Sequence, residues 1–247
     1  VILTGDDSCG GDRFALSDHR AAHIRSILRA EPGRLIRVGM LNGRVGIAEV
    51  ASVDEGRVEL ICHFDTDPPV IYPAVDIICA VPRPKTIRKI LVIAAMMGVK
   101  RLMFVRANRT DKSYLSSPLL TSAGWMPHLL EGLAQGGLTR LPQVSVHPLF
   151  RPFVEDQIDE LLIKEKNWLR LLSDPEATQQ LDAAWGDCDN CHIVGAIGPE
   201  GGWVPFECGL LGRQGFVGFS LGPWTLRVET AVTAFLAQLQ LVSSRQR

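Results

Sequence analysis

The feature that most constrains the fold is a repeated succession of short apolar segments and helical patterns from about residue 70 onward. The apolar segments are nearly continuous rather than alternating, which is typical of parallel strands buried on both faces. Segments with helical spacing of apolar residues separate them. The succession predicts an α/β fold, with a mostly parallel sheet covered by helices on both faces. The predicted strands are residues 75–81, 101–105, 144–146, 168–172, 193–197 and 216–221.

Helices are predicted between these strands because their ends carry recognisable signals. Gly98 and Gly215 each follow a helical pattern, and glycine commonly ends a helix in the left-handed conformation. Pro205 suits the first turn of a helix, where its missing N–H removes no hydrogen bond. Ligands of such sheets bind at the C-terminal ends of the strands. The predicted helices are residues 86–97, 122–133, 152–164, 205–213 and 229–241.

The residues before this repeat follow a different pattern, with short alternating segments and turn signals. The sequence Leu41-Asn42-Gly43 predicts a hairpin turn, and one helix is expected at 18–29 with Ser17 or Asp18 as its cap. Together with the strands, these features predict a small β-barrel. The predicted strands are residues 35–38, 45–50 and 58–62.

A break in periodicity divides the two patterns. Residues 65–69, Asp-Thr-Asp-Pro-Pro, continue neither a strand nor a helix and predict a linker. We therefore expect two domains, residues 1–69 and residues 70–247.

We expect the protein to lie in the cytosol and its cysteines to be reduced. No stretch approaches the roughly 20 uninterrupted apolar residues of a membrane span. The first residues lack the basic, apolar and cleavable pattern of an export signal. Cysteines in such a chain are expected to be reduced. They are Cys9, Cys62, Cys79, Cys188, Cys191 and Cys208.

The charge is distributed unevenly although the formal net charge is only −1. Residues 83–112 contain nine lysines and arginines against one acid, Asp111, whereas residues 153–190 contain ten acids against three bases. A basic stretch of this kind is suited to a polyanion such as nucleic acid. Helix faces that are exposed to solvent and bind no partner would explain the uneven charge equally well.

The strongest local motif is a glycine-rich loop directly after a predicted strand. Three glycines around a proline let the backbone approach a ligand closely and expose N–H groups to it. The glycine spacing is not that of a dinucleotide-binding fingerprint, and no Gly-Lys-Ser/Thr follows as in a P-loop. The motif is Ala196-Ile197-Gly198-Pro199-Glu200-Gly201-Gly202.

A second loop follows the next predicted strand, at residues 220–231, and also leads into a helix. Two such loops at adjacent strand ends form the wall of a cleft. An adenosine held there would be recognised mainly by backbone groups and apolar side chains, as in most small-molecule sites.

Three other motifs are weaker indications. Ser220 lies in a Gly-x-Ser-x-Gly sequence, but no histidine follows it, as the hydrolase order requires. Residues 188–192, Cys-Asp-Asn-Cys-His, match a haem attachment sequence, but that cofactor is normally attached outside the cytosol. A zinc ion bound by the same cysteines would need further ligands to complete a four-ligand site, and none are evident in the sequence. His19 and His23 lack the third ligand that a metal site requires.

Taken together, the two loops closely resemble the signature of the 16S ribosomal RNA uracil-N3 methyltransferase family, a branch of the SPOUT superfamily. The likeness extends to a helix motif at residues 23–29 and to positions throughout the chain. The residues that carry it further are Lys85, Gly98, Val99, Asn108, Arg109, Gln135 and Pro142. Trp224, Thr225 and Val228 depart from the family pattern, as do Met96 and Leu138, the latter with Arg140 nearby as a substitute.

The resemblance implies a fold and a reaction. The fold is an N-terminal PUA-like β-barrel that binds RNA and a C-terminal SPOUT-type domain with a deep trefoil knot, assembled as a homodimer with the last helix near the interface. The reaction is methylation of N3 of a uridine, position 1498 of 16S rRNA in the small ribosomal subunit, with S-adenosyl-L-methionine as methyl donor. The implied cofactor-binding residues are Ile197, Gly198, Pro199, Glu200, Gly201, Gly202, Leu221, Gly222 and Leu226.

Within that reaction we assign roles as hypotheses. Removal of the N3 proton calls for a general base, and Glu200 or Glu229 is the candidate. Arg227 is the candidate for holding the RNA phosphate or the uracil carbonyls. A loop-shaping role for Glu200 and a helix-capping role for Glu229 remain alternatives. The candidate RNA-binding residues are Arg25, Arg29, Lys85, Arg88 and Arg109.

Two other functional classes stay open on the sequence. A non-enzymatic RNA-binding protein would share the basic stretch but would not bind S-adenosylmethionine. A SPOUT enzyme with another rRNA or tRNA target would bind the methyl donor and modify a different nucleotide.

Overall fold

A computed structural model of the protein describes residues 1–68, 74–162, 167–186 and 191–245. The chain divides into two compact units. One comprises Val1–Val70 with Leu133–Leu141, and the other comprises Ile71–Gly132 with Pro142–Arg247.

The first unit contains a curled six-stranded mixed sheet and one helix, α1 (His19–Ser26). In the sheet the order is β1-β4-β5-β6-β3-β2, and only the β1–β4 pair is parallel. Apolar side chains from the sheet and from α1 form a single buried cluster, which the predicted barrel requires. The strands are β1 (Ile2–Leu3), β2 (Ser8–Gly10), β3 (Arg13–Leu16), β4 (Leu35–Met40), β5 (Val45–Val53) and β6 (Val58–Thr66).

Most expectations for this unit are confirmed, with corrections at the ends of elements. The predicted turn is present, with Asn42 at φ +58°. Asp18 rather than Ser17 caps α1, because its Oδ1 accepts a hydrogen bond from the Arg20 N–H at 2.8 Å. The sequence pattern missed β1, β2 and β3, which are too short to show clear alternation. The predicted linker is wrong at residues 65 and 66, which continue β6 in its pairing with β5.

The second unit contains a six-stranded sheet in which every pair is parallel, in the order β12-β10-β11-β7-β8-β9. Every residue of β7 and of β11 is buried, which confirms the expectation from their continuous apolar sequences. The strands are β7 (Val75–Ala80), β8 (Arg101–Val105), β9 (Gln143–His147), β10 (Trp168–Ser173), β11 (His192–Ile197) and β12 (Val217–Phe219).

The helices that follow β7 along the chain lie close to the predicted positions, and the last turn of α3 belongs to the first unit. The predicted helix at 152–164 is interrupted by a π-helical turn, Phe153–Gln157, and its last two residues, 163 and 164, lie outside the described part of the chain. The short helix α6 was not predicted. The helices are α2 (Pro84–Met96), α3 (Ser122–Gly136), α4 (Phe150–Pro152), α5 (Ile158–Leu162), α6 (Leu181–Trp185), α7 (Pro205–Arg213) and α8 (Val228–Arg245).

A buried polar cluster lies at the N-terminal edge of this sheet. Asp76 of β7 is fully buried, and its Oδ2 accepts a hydrogen bond from Nε of Arg101 at 2.7 Å. Nε2 of His192 approaches the same oxygen at 3.2 Å. The ring of Trp168 packs on His192, with 4.2 Å between centroids. The cluster therefore joins the starts of four strands, β7, β8, β10 and β11.

The cysteines differ from expectation at one position. The free cysteines among the described residues are Cys9, Cys62, Cys79 and Cys208. Cys191 is in a disulfide, so the expectation that all six are reduced is wrong there. Cys188 lies outside the described residues. None of the helices in the described ranges has the length and apolar character needed to cross a bilayer.

Candidate functional site

A cavity of about 650 Å³ lies at the C-terminal edge of the parallel sheet. Because all strands run in one direction, the loops that follow β10, β11 and β12 meet at this edge. The lining includes residues 173–176 from the end of β10 onward, 197–203 from the end of β11 onward, and 221, 222 and 224–226 after β12. We call it the loop cavity. Its volume falls in the range of roughly 300–1,000 Å³ that is usual for small-molecule sites.

The structure brings all nine sequence-predicted cofactor residues to the loop cavity, including Ile197, Leu221 and Leu226. They come from two loops that are about 20 residues apart in sequence. The parallel order, in which β11 and β12 both pair with β10, explains the convergence.

Two glycines of these loops have backbone conformations that other residues rarely adopt. Gly202 has φ +73° and Gly222 has φ +125°, both on the left-handed side. A Cβ at Gly222 would also lie 2.8 Å from the Trp224 ring. At Gly201 a Cβ would lie 3.0 Å from Cδ of Arg109. The loops therefore require glycine for both conformation and space.

Sequence reasoning missed the third loop, residues 173–176. Its Asp174 Oδ1 accepts a hydrogen bond from the Glu176 N–H at 3.0 Å, and the Asp174 N–H donates to the Phe219 carbonyl at 3.0 Å. The two carboxylates add negative charge to the cavity lining, which suits a ligand that carries positive charge. The sequence contained one usable signal, an Asp-Pro turn directly after a predicted strand.

Two tryptophans also line the loop cavity without having been predicted as site residues. Trp224 is 68% exposed at the second loop. Trp203 packs against Phe150 at 5.7 Å between centroids, and its Nε1 is buried without a hydrogen-bond partner among the described residues. Both offer aromatic surface for a planar ligand group.

The two candidate glutamates have different surroundings. Glu200 lines the cavity and is exposed, and its Oε1 accepts a hydrogen bond from the Arg83 N–H at 3.1 Å. Glu229 does not line the cavity. Its Oε1 lies 2.8 Å from Nζ of Lys89, and this ammonium group holds the pKa of Glu229 below its ordinary value. Glu229 is therefore already paired with a cation.

The candidate basic residues are dispersed. Arg109 lines the loop cavity and donates to the Gly201 carbonyl. Arg88 approaches Glu131 at 3.8 Å, whereas Lys85 is exposed. Arg227 is exposed at the start of α8 and does not line the cavity.

Arg25 and Arg29 belong to the first unit, where both are exposed. Arg25 donates to the Glu55 carbonyl. Arg29 has φ +47°, a conformation that is uncommon for residues other than glycine, asparagine and aspartate and that often marks a functional position.

The Gly-x-Ser-x-Gly motif has a structural role. The Ser220 hydroxyl donates to the Gly222 carbonyl at 3.1 Å and closes the turn of the second loop. Within the described ranges, no three potential metal ligands come together.

Comparisons with known proteins agree with this geometry. Residues 71–240 match the model of a protein family described as an RNA methyltransferase domain. The chain is 28% identical over 233 residues to ribosomal RNA small subunit methyltransferase E of Treponema pallidum, covering 91% of this chain and 83% of the relative. Ribosomal RNA small subunit methyltransferase E 1 of Borreliella burgdorferi is 25% identical, with 90% and 89% covered.

A solved structure shares the fold. Ribosomal RNA small subunit methyltransferase E from Neisseria gonorrhoeae, crystallised with S-adenosyl methionine, superposes with a TM-score of 0.75 at 22% identity. The match covers 98% of this chain and 97% of the other. Both the curled sheet and the parallel α/β sheet therefore belong to a known architecture, that of a PUA-like barrel followed by a SPOUT domain.

Proposed function

The chain belongs to the RNA methyltransferase domain family, and we propose that it transfers a methyl group from S-adenosylmethionine to N3 of uridine 1498 in 16S rRNA. The observation that carries this proposal is the convergence of all nine predicted cofactor residues on one cavity at the carboxyl edge of the parallel sheet. The names of the relatives, which are small-subunit rRNA methyltransferases, support the RNA class.

The residues of the loop cavity fit the proposed methyl donor. S-adenosylmethionine supplies an electrophilic methyl group on a positively charged sulfonium. The glycines of the first two loops expose backbone N–H and C=O groups for an adenosine, and Ile197, Leu221 and Leu226 add apolar surface. Asp174 and Glu176 place carboxylates on the side of the third loop, where they favour the positive charge of the donor.

We assign the proton-accepting role to Glu200 rather than Glu229. Glu200 lines the cavity, and its only hydrogen bond among the described residues comes from a backbone N–H, so the carboxylate keeps acceptor capacity. Glu229 is neutralised by Lys89 outside the cavity lining. Arg109 reaches the first loop from the segment after β8 and is better placed than Arg227 to hold the RNA beside the cavity.

The experiment that tests the function is methyl mapping. The purified protein is incubated with radiolabelled S-adenosylmethionine and with small subunits or 16S rRNA from cells that lack the activity. We expect one labelled nucleotide, N3-methyluridine at position 1498. Label in another nucleotide or in tRNA would redirect the proposal to a different SPOUT target, and the absence of both label and donor binding would leave an RNA-binding protein.

RNA affinity is proposed to rest on Arg25, Arg29, Lys85, Arg88 and Arg109, all of which are exposed. Contacts to phosphates release counterions, so affinity falls as salt rises. Changing one contacting residue to glutamine is expected to reduce the slope of log K against log salt by about 0.7, the value per contact for single strands. Fluorescence anisotropy of labelled RNA at several salt concentrations measures this slope. Arg213→Gln, an exposed arginine of α7, is the matched control; an unchanged slope in Arg109→Gln would contradict the assignment.

We also propose the quaternary and topological features that the family resemblance implies. Two copies associate with α8 near the interface, and light scattering that gives the mass of one chain would contradict this. The chain is proposed to thread into a trefoil knot, which rests on the family resemblance; an experimental chain trace without threading would exclude it. We also place the protein in the cytoplasm. Cell fractionation tests this location, and we expect the protein in the same fraction as the ribosomal subunits.

A further inference from the structure

A second depression in the same unit adjoins the loop cavity. It has a volume of about 400 Å³, and its lining includes Arg106, Leu149, Phe150, Arg151 and Phe206. We call it the Phe206 groove. Leu149 is 58% exposed and Phe206 is 56% exposed, so two large apolar side chains face solvent in one place. An exposed apolar site flanked by polar residues typically marks a binding surface.

The groove and the loop cavity share a wall. Trp203 and Pro205 line the cavity, whereas Val204 and Phe206, which alternate with them, line the groove. The ring pair between Phe150 of the groove and Trp203 of the cavity spans this wall. A group bound in the groove is therefore one layer of side chains away from the proposed site of methyl transfer.

The groove is held in shape by a buried carboxylate. Glu207 is only 2% exposed, and its Oε1 accepts a hydrogen bond from the Asn108 N–H at 2.6 Å. Its Oε2 accepts from the Val204 N–H at 3.0 Å. These bonds join the segment after β8 to the start of α7. The two walls of the groove are thus fixed before a ligand arrives.

The solvent-accessible charges in the lining of the groove are arginines. Arg106 is half-buried in the lining and has no ion-pair partner within the described part of the chain. Arg151 is paired with Glu155 at 2.7 Å but is 69% exposed. Glu207, the acid in the lining, is buried and points its oxygens at two backbone N–H groups, so the charged groups that a ligand meets first are the arginines. An apolar floor beside an unpaired arginine suits a planar apolar group attached to an anion.

We propose that the Phe206 groove binds one unpaired nucleotide of the RNA, beside the nucleotide that is methylated. This inference rests on the proposed RNA substrate. The base stacks on Phe206 and Leu149, and Arg106 binds a phosphate. Aromatic side chains that hold single-stranded bases in this way, next to basic residues that follow the backbone, are a general solution for RNA.

The test compares Phe206→Ala with Phe206→Tyr and with Val217→Ala, an exposed apolar residue of β12 in the same unit. Stacking on an aromatic side chain contributes about 1–3 kcal/mol per base, so we expect Phe206→Ala to raise KM for RNA about tenfold. The affinity for S-adenosylmethionine and kcat are expected to stay unchanged. Phe206→Tyr keeps a ring and is expected to restore KM to within about twofold of the wild-type value, as is Val217→Ala.

Several outcomes would overturn the proposal. One such outcome is that Phe206→Ala leaves the KM for protein-free 16S rRNA unchanged. A second such outcome is that KM rises with assembled subunits but not with protein-free rRNA, because the groove would then contact a ribosomal protein. Photo-crosslinking with RNA that contains 4-thiouridine needs no methylation, so it separates this inference from the proposed function. Crosslinks to peptides that contain Leu149 or Phe206 support the groove even if methylation fails, and crosslinks confined to other peptides contradict it.

Discussion

Replacing Glu200 with glutamine is expected to lower the rate of methyl transfer by about 10²–10⁴-fold, the usual contribution of a positioned general base. The substitution keeps the size of the side chain and its ability to accept the Arg83 N–H, and it removes the charge that would take the N3 proton. Because the loop itself is preserved, the affinity for S-adenosylmethionine is expected to change little.

The matched control is Glu229→Gln. Glu229 lies at the start of α8, where Nζ of Lys89 is 2.8 Å from its carboxylate, so its replacement removes an ion pair rather than a base. Single-turnover rates with saturating RNA measure both variants. If Glu229→Gln is the slow variant and Glu200→Gln turns over at the wild-type rate, the assignment is reversed. If both variants turn over normally, neither glutamate takes the proton.

Replacing Asp76 with alanine is expected to lower the free energy of unfolding of the second unit by about 3–5 kcal/mol, the typical cost of removing one partner from a buried ion pair. Asp76 is 0% exposed, and it is the acceptor for Arg101, whose side chain is only 12% exposed. Without the carboxylate the guanidinium remains at the sheet edge without an ion-pair partner to offset its desolvation.

Urea unfolding followed by circular dichroism measures this loss. Glu155→Ala is the control because it removes an ion pair with Arg151 that is largely exposed, for which we expect a loss of at most about 1 kcal/mol. The cluster lies at the edge of the sheet opposite the loop cavity, so Asp76→Ala is expected to keep its affinity for S-adenosylmethionine under conditions in which it is folded. A loss of stability no larger than that of Glu155→Ala would show that the buried pair is energetically neutral.

The sequence predicted the local part of this protein well. The boundaries of β8 and α7 agree with expectation, because continuous apolar residues, Pro205 and the glycine-ended helix are signals that act over a few neighbouring residues. The glycine-rich loop after β11 and the loop after β12 were recognised for the same reason. The strands β1–β3 were missed because strands of two to four residues are too short to show an alternating pattern.

The sequence by itself determined the two sheet patterns, the loops and the residue types that a methyl donor would meet. Only the tertiary structure decided which of those residues act together. It added the loop at Asp174 to the cavity, paired Glu229 with Lys89 across 140 positions, and placed Phe206 beside Leu149 and Arg106. Periodicity and turn propensity depend on neighbours along the chain, whereas these contacts depend on strand order, and local patterns do not encode strand order.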